Sequence, residues 1–363
     1  MLIIGCDFHT RYQQIAMLDE ATGEWIERRL EHENGEAHRF YRGLPKPVRV
    51  GVEATGPLHW FERLLGELGH ELWIGDSAKI RASEIRKQKT DQRDAQLILE
   101  LMLANRFPRI WVPTPAERDL RQLLWHRHKL VRMRTMLGNQ LHFLAMSQGL
   151  CRKKKLFTKN GRRELGGLAL GPWASRRRAE LLGLLDQLDP AIAQLDRAVL
   201  EEAKRREDAA RLMTHPGIGP VNALAFVLTI GPVTRFRRSK QIASYLGLNP
   251  SEHSSGGKRR LGAISKQGNT MVRWLLIEAV HHVVRSDPEL RQDYQRLKCR
   301  RGNAVAKVAV ARKLAVRLFW DAAEWRRLRA AGSHARQPGL HPGPGSGIAR
   351  LIGHLAPPKR RGV

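Results

Sequence analysis

Val48-Arg49-Val50-Gly51-Val52-Glu53-Ala54-Thr55-Gly56 decides how the first third of the chain folds. Valine at every second position makes a strand, and the strand ends on a carboxylate followed by a Thr-Gly turn. Upstream, residues 2–6, 13–18 and 25–30 have the same short apolar, β-branched character. Their connections are rich in Asp, Thr and Gly, as in Asp19-Glu20-Ala21-Thr22-Gly23. A polar helical stretch covers residues 36–42. Downstream, residues 58–68 have helical spacing and stop at Gly69, a residue suited to a left-handed helix end. Residues 71–74 read as a fifth strand. Three strands followed by alternating helix and strand predict a mixed α/β sheet covered by helices.

From about residue 116 the pattern changes to long helices. Leu137, Leu141 and Leu144 are spaced 4 and 3 apart, and Leu188, Ile192, Leu195 and Val199 are spaced 4, 3 and 4 apart. Such seams suit a helical hairpin, an intermolecular coiled coil or a helix packed on its own domain. Between them lies the basic stretch Cys151-Arg152-Lys153-Lys154-Lys155 with Lys159, Arg162 and Arg163, placed either against phosphates or as a solvated face. Residues 214–329 form a second, mostly helical unit with helices over 270–285 and 304–320. Beyond residue 330 the chain is rich in Gly, Pro and His, a composition that predicts a disordered tail. The expected domains are therefore 1–115, 116–213, 214–329 and the tail 330–363.

Charge narrows the partner. The 363-residue chain has 64 Lys and Arg against 35 Asp and Glu, a net charge of +29. Such an excess attracts polyanions, and counterion release makes nucleic acid the expected partner. A membrane is not expected, because no apolar run reaches the roughly 18 residues of a spanning helix. The opening Leu2-Ile3-Ile4 reads as a strand and not as a signal peptide. Cys6, Cys151 and Cys299 lie far apart with no paired spacing, which fits a reducing cytoplasm and offers no evident zinc site.

Against this basic background four carboxylates stand out by position. Asp7 ends the first strand in Gly5-Cys6-Asp7-Phe8-His9, and Glu53 ends the fourth. Asp91 and Asp94, in Lys89-Thr90-Asp91-Gln92-Arg93-Asp94-Ala95, share one face of a helix. Strand-end acids on neighbouring strands would sit side by side, and a helix crossing that edge would add the other two. Four such carboxylates repel one another unless cations bind among them. Two Mg²⁺ ions roughly 4 Å apart would satisfy them and serve phosphoryl chemistry. Taken singly, each acid equally reads as a turn, cap or solvated residue.

The second unit contains two further motifs. His215-Pro216-Gly217-Ile218-Gly219-Pro220 precedes an apolar helix and matches the hairpin of a helix-hairpin-helix element, whose bare N–H groups at Gly217 and Gly219 can hold a phosphate. A simple Gly-Pro turn is the alternative. Then come Ser251-Glu252-His253-Ser254-Ser255-Gly256-Gly257-Lys258-Arg259-Arg260 and Leu261-Gly262-Ala263-Ile264-Ser265-Lys266-Gln267-Gly268-Asn269. Serines, glycines and cations concentrated in this way read as a phosphate-binding loop. Its serines are either hydrogen-bond donors or a nucleophile assisted by metal and cations.

These motifs together resemble the DEDD transposases of bacterial insertion sequences. The strand-end Asp, the V-E-A-T-G segment and K-T-D-x-x-D-A stand in family order. The C-terminal G-L-x-P, S-S-G-G-K and I-S-K-x-G-N elements follow. The resemblance extends to about residue 325. It implies a ribonuclease H-like (RuvC-like) mixed-sheet domain, a long helical or coiled-coil middle, and a mostly helical C-terminal domain with a helix-hairpin-helix-like element. It places the metal-binding acids on Asp7, Glu53, Asp91 and Asp94, and a covalent serine at Ser254 or Ser255, of which Ser254 is preferred. Lys258 and Arg260 become phosphate clamps, Lys266, Asn269 and Arg273 contact backbone or position the loop, and Lys153 and Lys154 belong to the basic middle.

The expected function is thus a transposase or site-specific recombinase that cuts and rejoins donor and target DNA through a phosphoserine. The resemblance further implies guidance by a structured bridge RNA and assembly as a homodimer or homotetramer. Two other classes compete. A hydrolytic enzyme like a Holliday-junction resolvase would use the same acids with water and need no serine. A non-catalytic nucleic-acid-binding protein would need none of the acids.

Overall fold

β1 (Leu2–Phe8), β2 (Tyr12–Asp19) and β3 (Trp25–Glu31) form an antiparallel meander, and α1 (Glu36–Gly43) leads out of it. β4 (Val48–Glu53), α2 (His59–Leu68) and β5 (Glu71–Gly75) follow, giving a sheet ordered β3-β2-β1-β4-β5 in which β1, β4 and β5 run parallel. This is the mixed sheet that the spacing predicted, and the rest of the chain is mostly helical. The computed structural model describes residues 1–45, 48–56, 58–84, 90–152 and 154–334. Lys89, Lys153 and residues 335–363 of the expected tail lie outside these. Two compact units emerge, residues 1–114 and the chain from Pro115 onward.

Strand alternation sorts the first unit into layers. Leu2, Ile4, Cys6 and Phe8 of β1 pack with Val48, Val50 and Val52 of β4 against Tyr41 of α1 and Phe61, Leu64 and Leu65 of α2. Ile3, Gly5 and Asp7 face the other way. On that face lie α3 (Ser77–Ala82) and α4 (Asp91–Leu103), whose Ile80, Ala95, Ile98, Leu99 and Met102 form a second core with Ile3 and Ala16.

Two glycines set how close α4 lies. Gly5 and Gly51 are register partners on β1 and β4. A Cβ on Gly5 would come within 2.3 Å of the Ala95 carbonyl oxygen and 2.5 Å of the Leu99 nitrogen, both helix backbone. At Gly51 the nearest obstacle is the Met102 sulfur, 2.1 Å away. The glycines therefore let the helix backbone rest directly on the sheet.

The second unit begins with α5 (Pro115–Ser147), α6 (Lys159–Gly166) and α7 (Pro172–Arg205). Leu137 and Leu141 of α5 are buried with Leu165 of α6 and Leu181 and Leu185 of α7. Of the two seams, Leu137, Leu141, Leu144, Ile192 and Val199 are buried in this chain, where α5 and α7 pair as a helical hairpin. At the other end of the hairpin, Leu124, Val199 and Ala203 join the core of the C-terminal elements. These are α8 (Glu207–Leu212), α9 (Pro220–Ile230), α10 (Lys240–Tyr245), β6 (Pro250–Glu252), β7 (Leu261–Ile264), α11 (Thr270–Ser286), α12 (Pro288–Arg301) and α13 (Asn303–His334). α13 runs five residues into the stretch expected to be disordered, because Arg-Leu-Arg-Ala-Ala at 327–331 consists of strong helix formers. Among the described residues no helix is long and apolar enough to cross a membrane, and all three cysteines are free.

Asp287 joins three of the final helices. Its side chain caps α12 by accepting from the Leu290 N–H at 2.8 Å, and it pairs with Arg317 of α13 at the end of α11. Burial pushes its carboxyl upward, but the Leu290 N–H and the Arg317 guanidinium outweigh that and hold it below the usual value.

Two stability outcomes are expected. Gly5→Ala forces backbone apart and costs at least the ~1–3 kcal/mol of an overpacked core, whereas Gly51→Ala costs less because the Met102 thioether can swing away. Chemical denaturation of both variants measures the difference, and equal costs would contradict the backbone seat. Asp287→Ala loses a cap worth about 1 kcal/mol. Because the folded carboxyl is depressed, its contribution is present above pH ~4 and disappears as pH falls through the lower folded value. The variant's denaturation midpoint should therefore fall less steeply with acid than the parent's.

Candidate active site

Acids from distant segments meet at the carboxyl end of the parallel strands, where open α/β sheets place their ligands. Asp7 follows Gly5 on the α4 face of β1, and His9 lies two residues further on. Glu53 and Asp7 each stand one residue beyond the pair Cys6↔Val52. Thr90 caps α4 by accepting from the Arg93 N–H, so Asp91 and Asp94 occupy its first turn. Negative charge is favoured there by the helix dipole, and Ala95 beside Gly5 holds that turn next to Asp7.

One oxygen each of Asp7 and Asp91 and a ring nitrogen of His9 all lie within 4.8 Å of one another. His9 Nε2 donates to Asp7 Oδ2 at 3.0 Å and lies 3.6 Å from Asp91 Oδ2. The Tyr12 hydroxyl donates to the same Asp91 oxygen at 2.7 Å. The Tyr12 ring stacks on His9 at 4.6 Å, and the Arg29 guanidinium covers it at 3.6 Å. Burial is the main cause that raises the Asp7 carboxyl above its ordinary value. His9 opposes the rise, and the charges of Asp94 and Asp91 add to it. The hydrogen bond to Asp91 raises the Tyr12 phenol.

Of the four expected acids, Asp7 and Asp91 thus enter the tight group, and Asp94 is close enough to act on Asp7 electrostatically. Glu53 is half-buried at the neighbouring strand end, outside that group. His9 and Tyr12 were not singled out from the sequence. For His9 the signal was available: Asp-x-His at a strand end puts both side chains on one face. Tyr12 reaches the site only through the β1–β2 turn. Two carboxylates and an imidazole form a donor set that fits a divalent cation, with oxygen donors suited to Mg²⁺ or Mn²⁺.

The serine segment, read as a phosphate-binding loop, takes the form of a β-hairpin. β6 pairs with β7, His253 N–H donates to the Arg260 carbonyl, and Lys258 N–H donates to the Ser255 carbonyl. Gly256 and Gly257 between them have φ of 57° and 74°, the signature of a two-residue type I′ turn that Gly-Gly favours. At the hairpin the Ser254 hydroxyl donates to Glu252 Oε1 at 2.7 Å and accepts from the Arg260 N–H at 3.1 Å. Lys258 and Arg260 are exposed beside it.

Lys266, exposed and at φ 56°, ties its N–H to the Gly247 carbonyl. Arg273 is buried, and its Nη1 donates to the carbonyls of Leu246 and Gln267, so it braces the loop from within. Asn269 caps α11. Gly217 has φ 81°, and a Cβ there would meet the Val283 nitrogen at 2.8 Å, so its lack of a side chain serves close packing on α11. Gly219 is the open N-cap of α9. Lys154 is exposed, while Arg152 and Arg162 nearby are paired with Glu164 and Asp186.

Comparison with known proteins identifies the family. Residues 4–145 match a family model described as a transposase, of the DEDD type of the IS110 group, and residues 209–295 match the model described as Transposase IS116/IS110/IS902 family. A probable family 20 transposase of Pseudomonas aeruginosa is 31% identical over 332 residues, covering 87% of this chain and 95% of that protein. The transposase for insertion sequence element IS1111A of Coxiella burnetii is 30% identical over 292 residues, 78% of each chain. That for insertion sequence element IS1328 of Yersinia enterocolitica is 29% identical over 64% of this chain and 70% of its own length. With a strand-end acid cluster and similarity along nearly the full length of a relative, the chain belongs to the IS116/IS110/IS902 family of transposases, enzymes that cleave and rejoin DNA.

Proposed function

We propose that this transposase moves its insertion sequence with a divalent-metal site formed by Asp7, Glu53, Asp91 and Asp94 and a serine nucleophile at Ser254, or at its neighbour Ser255. The observation that carries the reading is the meeting of Asp7, His9 and Asp91, from sequence positions more than 80 apart, at one sheet edge. A chain with net charge +29 that nevertheless gathers carboxylates there has a use for negative charge other than binding DNA, which carboxylates weaken.

Bound Mg²⁺, two ions in the full site, would stabilise the charge that develops on the phosphodiester oxygens. The chain's own residues do the rest. Asp7 and Asp91 supply ligand oxygens, Tyr12 orients Asp91, and His9 stands between the acids as a further ligand or counter-charge. The serine attacks phosphorus and holds one DNA end as a phosphoserine, and the exposed cations Lys258 and Arg260 grip the flanking phosphates. Gly217 and Gly219 at the start of α9, with Lys266, extend the backbone contacts. The basic segment around Lys153 and Lys154 holds a structured bridge RNA that pairs donor with target. A homodimer or homotetramer supplies the two strand exchanges.

The experiment is recombination between a plasmid bearing the element's joined ends and one bearing its target, with the flanking RNA co-expressed. The parent recombines, and Asp7→Ala and Ser254→Ala do not. If both Ser254→Ala and Ser255→Ala still recombined while Asp7→Ala did not, water would be the nucleophile and the hydrolytic reading would replace this one. An active Asp7→Ala would remove the acidic site altogether.

A second outcome concerns the metal alone. Burying Asp7 beside two like charges destabilises the cation-free fold, so Asp7→Asn raises the thermal midpoint in chelator. Mg²⁺ or Mn²⁺ raises the parent's midpoint by mass action and leaves the variant's unchanged. A parent whose midpoint ignores both ions would exclude the site.

A further inference from the structure

The two adjacent serines are not equivalent. The Ser254 side chain donates to Glu252 Oε1 at 2.7 Å and accepts from the Arg260 backbone N–H at 3.1 Å. Ser255 contributes its backbone, accepting from Lys258 N–H across the turn, and among the described residues its hydroxyl has no hydrogen-bond partner. Residues i and i+2 of an extended strand share a face, so Glu252 and Ser254 project together from the hairpin. The Arg259 Nε lies 3.5 Å from the same Glu252 oxygen and holds the carboxylate in place.

Glu252 is also out of place by composition. It is the single carboxylate between Asp208 and Glu278, in a segment with cations at 211, 235, 237, 238, 240, 258, 259, 260, 266 and 273. A negative charge in a phosphate-facing basic segment reduces affinity for DNA. The one acid in that segment is the acid bonded to the hydroxyl of a serine.

We propose that Ser254 is the nucleophile and that Glu252 accepts its proton, an assignment that rests on the covalent-serine reading above. As Oγ attacks, the Oγ–H bond breaks and the proton passes to Glu252 Oε1. The Oγ–P bond forms while the P–O bond to the departing deoxyribose oxygen breaks, and that oxygen takes a proton from water. The Arg260 N–H keeps Oγ oriented, with its hydrogen directed at the carboxylate. In the rejoining step the deoxyribose hydroxyl gives its proton to water as its oxygen bonds to phosphorus, the Oγ–P bond breaks, and Glu252 returns its proton to Oγ. A positioned base of this kind contributes about 10²–10⁴-fold to the rate.

The test uses the purified full chain with its flanking RNA and a labelled DNA fragment bearing the element's joined ends. Covalent protein–DNA adduct is followed over time on denaturing gels, and DNA retention is measured in parallel by gel shift. The parent and Ser255→Ala form adduct, and Ser254→Ala forms none. Glu252→Gln retains DNA at least as well as the parent but forms adduct about 10²–10⁴-fold more slowly, with the deficit shrinking at high pH as hydroxide replaces the missing acceptor. Adduct formation by Glu252→Gln at the parental rate and pH profile overturns the proton-acceptor role. Adduct lost in Ser255→Ala and kept in Ser254→Ala overturns the choice of nucleophile. A parent that recombines without any adduct is a different result: it removes the covalent-serine reading itself, and this assignment with it.

Discussion

The close seating of α4 on the glycine pair Gly5 and Gly51 is the contact on which the candidate site depends. Asp91 and Asp94 reach Asp7 only because Ala95 and Leu99 rest on the sheet backbone without an intervening side chain. Interiors packed at crystal density transmit such a fit, so the acids one turn ahead of Ala95 inherit their positions from the core beneath them. The cost of gathering carboxylates is thereby borne by apolar packing of Ile3, Ile98, Leu99 and Met102. The helix dipole and the Tyr12 and His9 contacts reduce it further. Local destabilisation at the acids is what the proposed cation would relieve.

Charge is divided along the chain by the same logic. A strongly basic protein concentrates acids at one sheet edge, and its second unit carries a basic segment with one carboxylate at the serine hairpin. The hairpin and the loop after it are tied by short-range hydrogen bonds. Two left-handed glycines close the turn, the Ser254 oxygen is held from both sides, and Arg273 braces the following loop by donating to two carbonyls. The long helices serve a different purpose: their leucine seams are buried as a hairpin whose inner end joins the C-terminal core.

The strands were readable because alternation and β-branching are local properties, and each observed strand of the first unit lies within two residues of its expected bounds. The acids were readable because strand ends and a helix first turn are positions the pattern itself marks. The serine hairpin was not read as strands, although Gly256-Gly257 is a hairpin turn pair. Its flanks, Pro250–Glu252 and Leu261–Ile264, are too short and polar to alternate convincingly. The burial of Arg273 was equally hidden, since nothing in a cation's neighbours along the chain reveals that two carbonyls wait for it inside.

By itself the sequence determined the α/β first unit, the helical remainder, the polyanion partner and the family, because periodicity, net charge and motif order need no third dimension. Tertiary structure decided which of the marked residues meet. It drew Asp7, Asp91 and His9 together while leaving Glu53 outside the tight group, brought Tyr12 into the site through the β1–β2 turn, and distinguished Ser254 from Ser255 by a carboxylate partner. Those outcomes depend on a helix resting on glycines and on side chains projecting from one face of a hairpin. Such distances of a few ångströms are set by packing, which one-dimensional spacing does not contain.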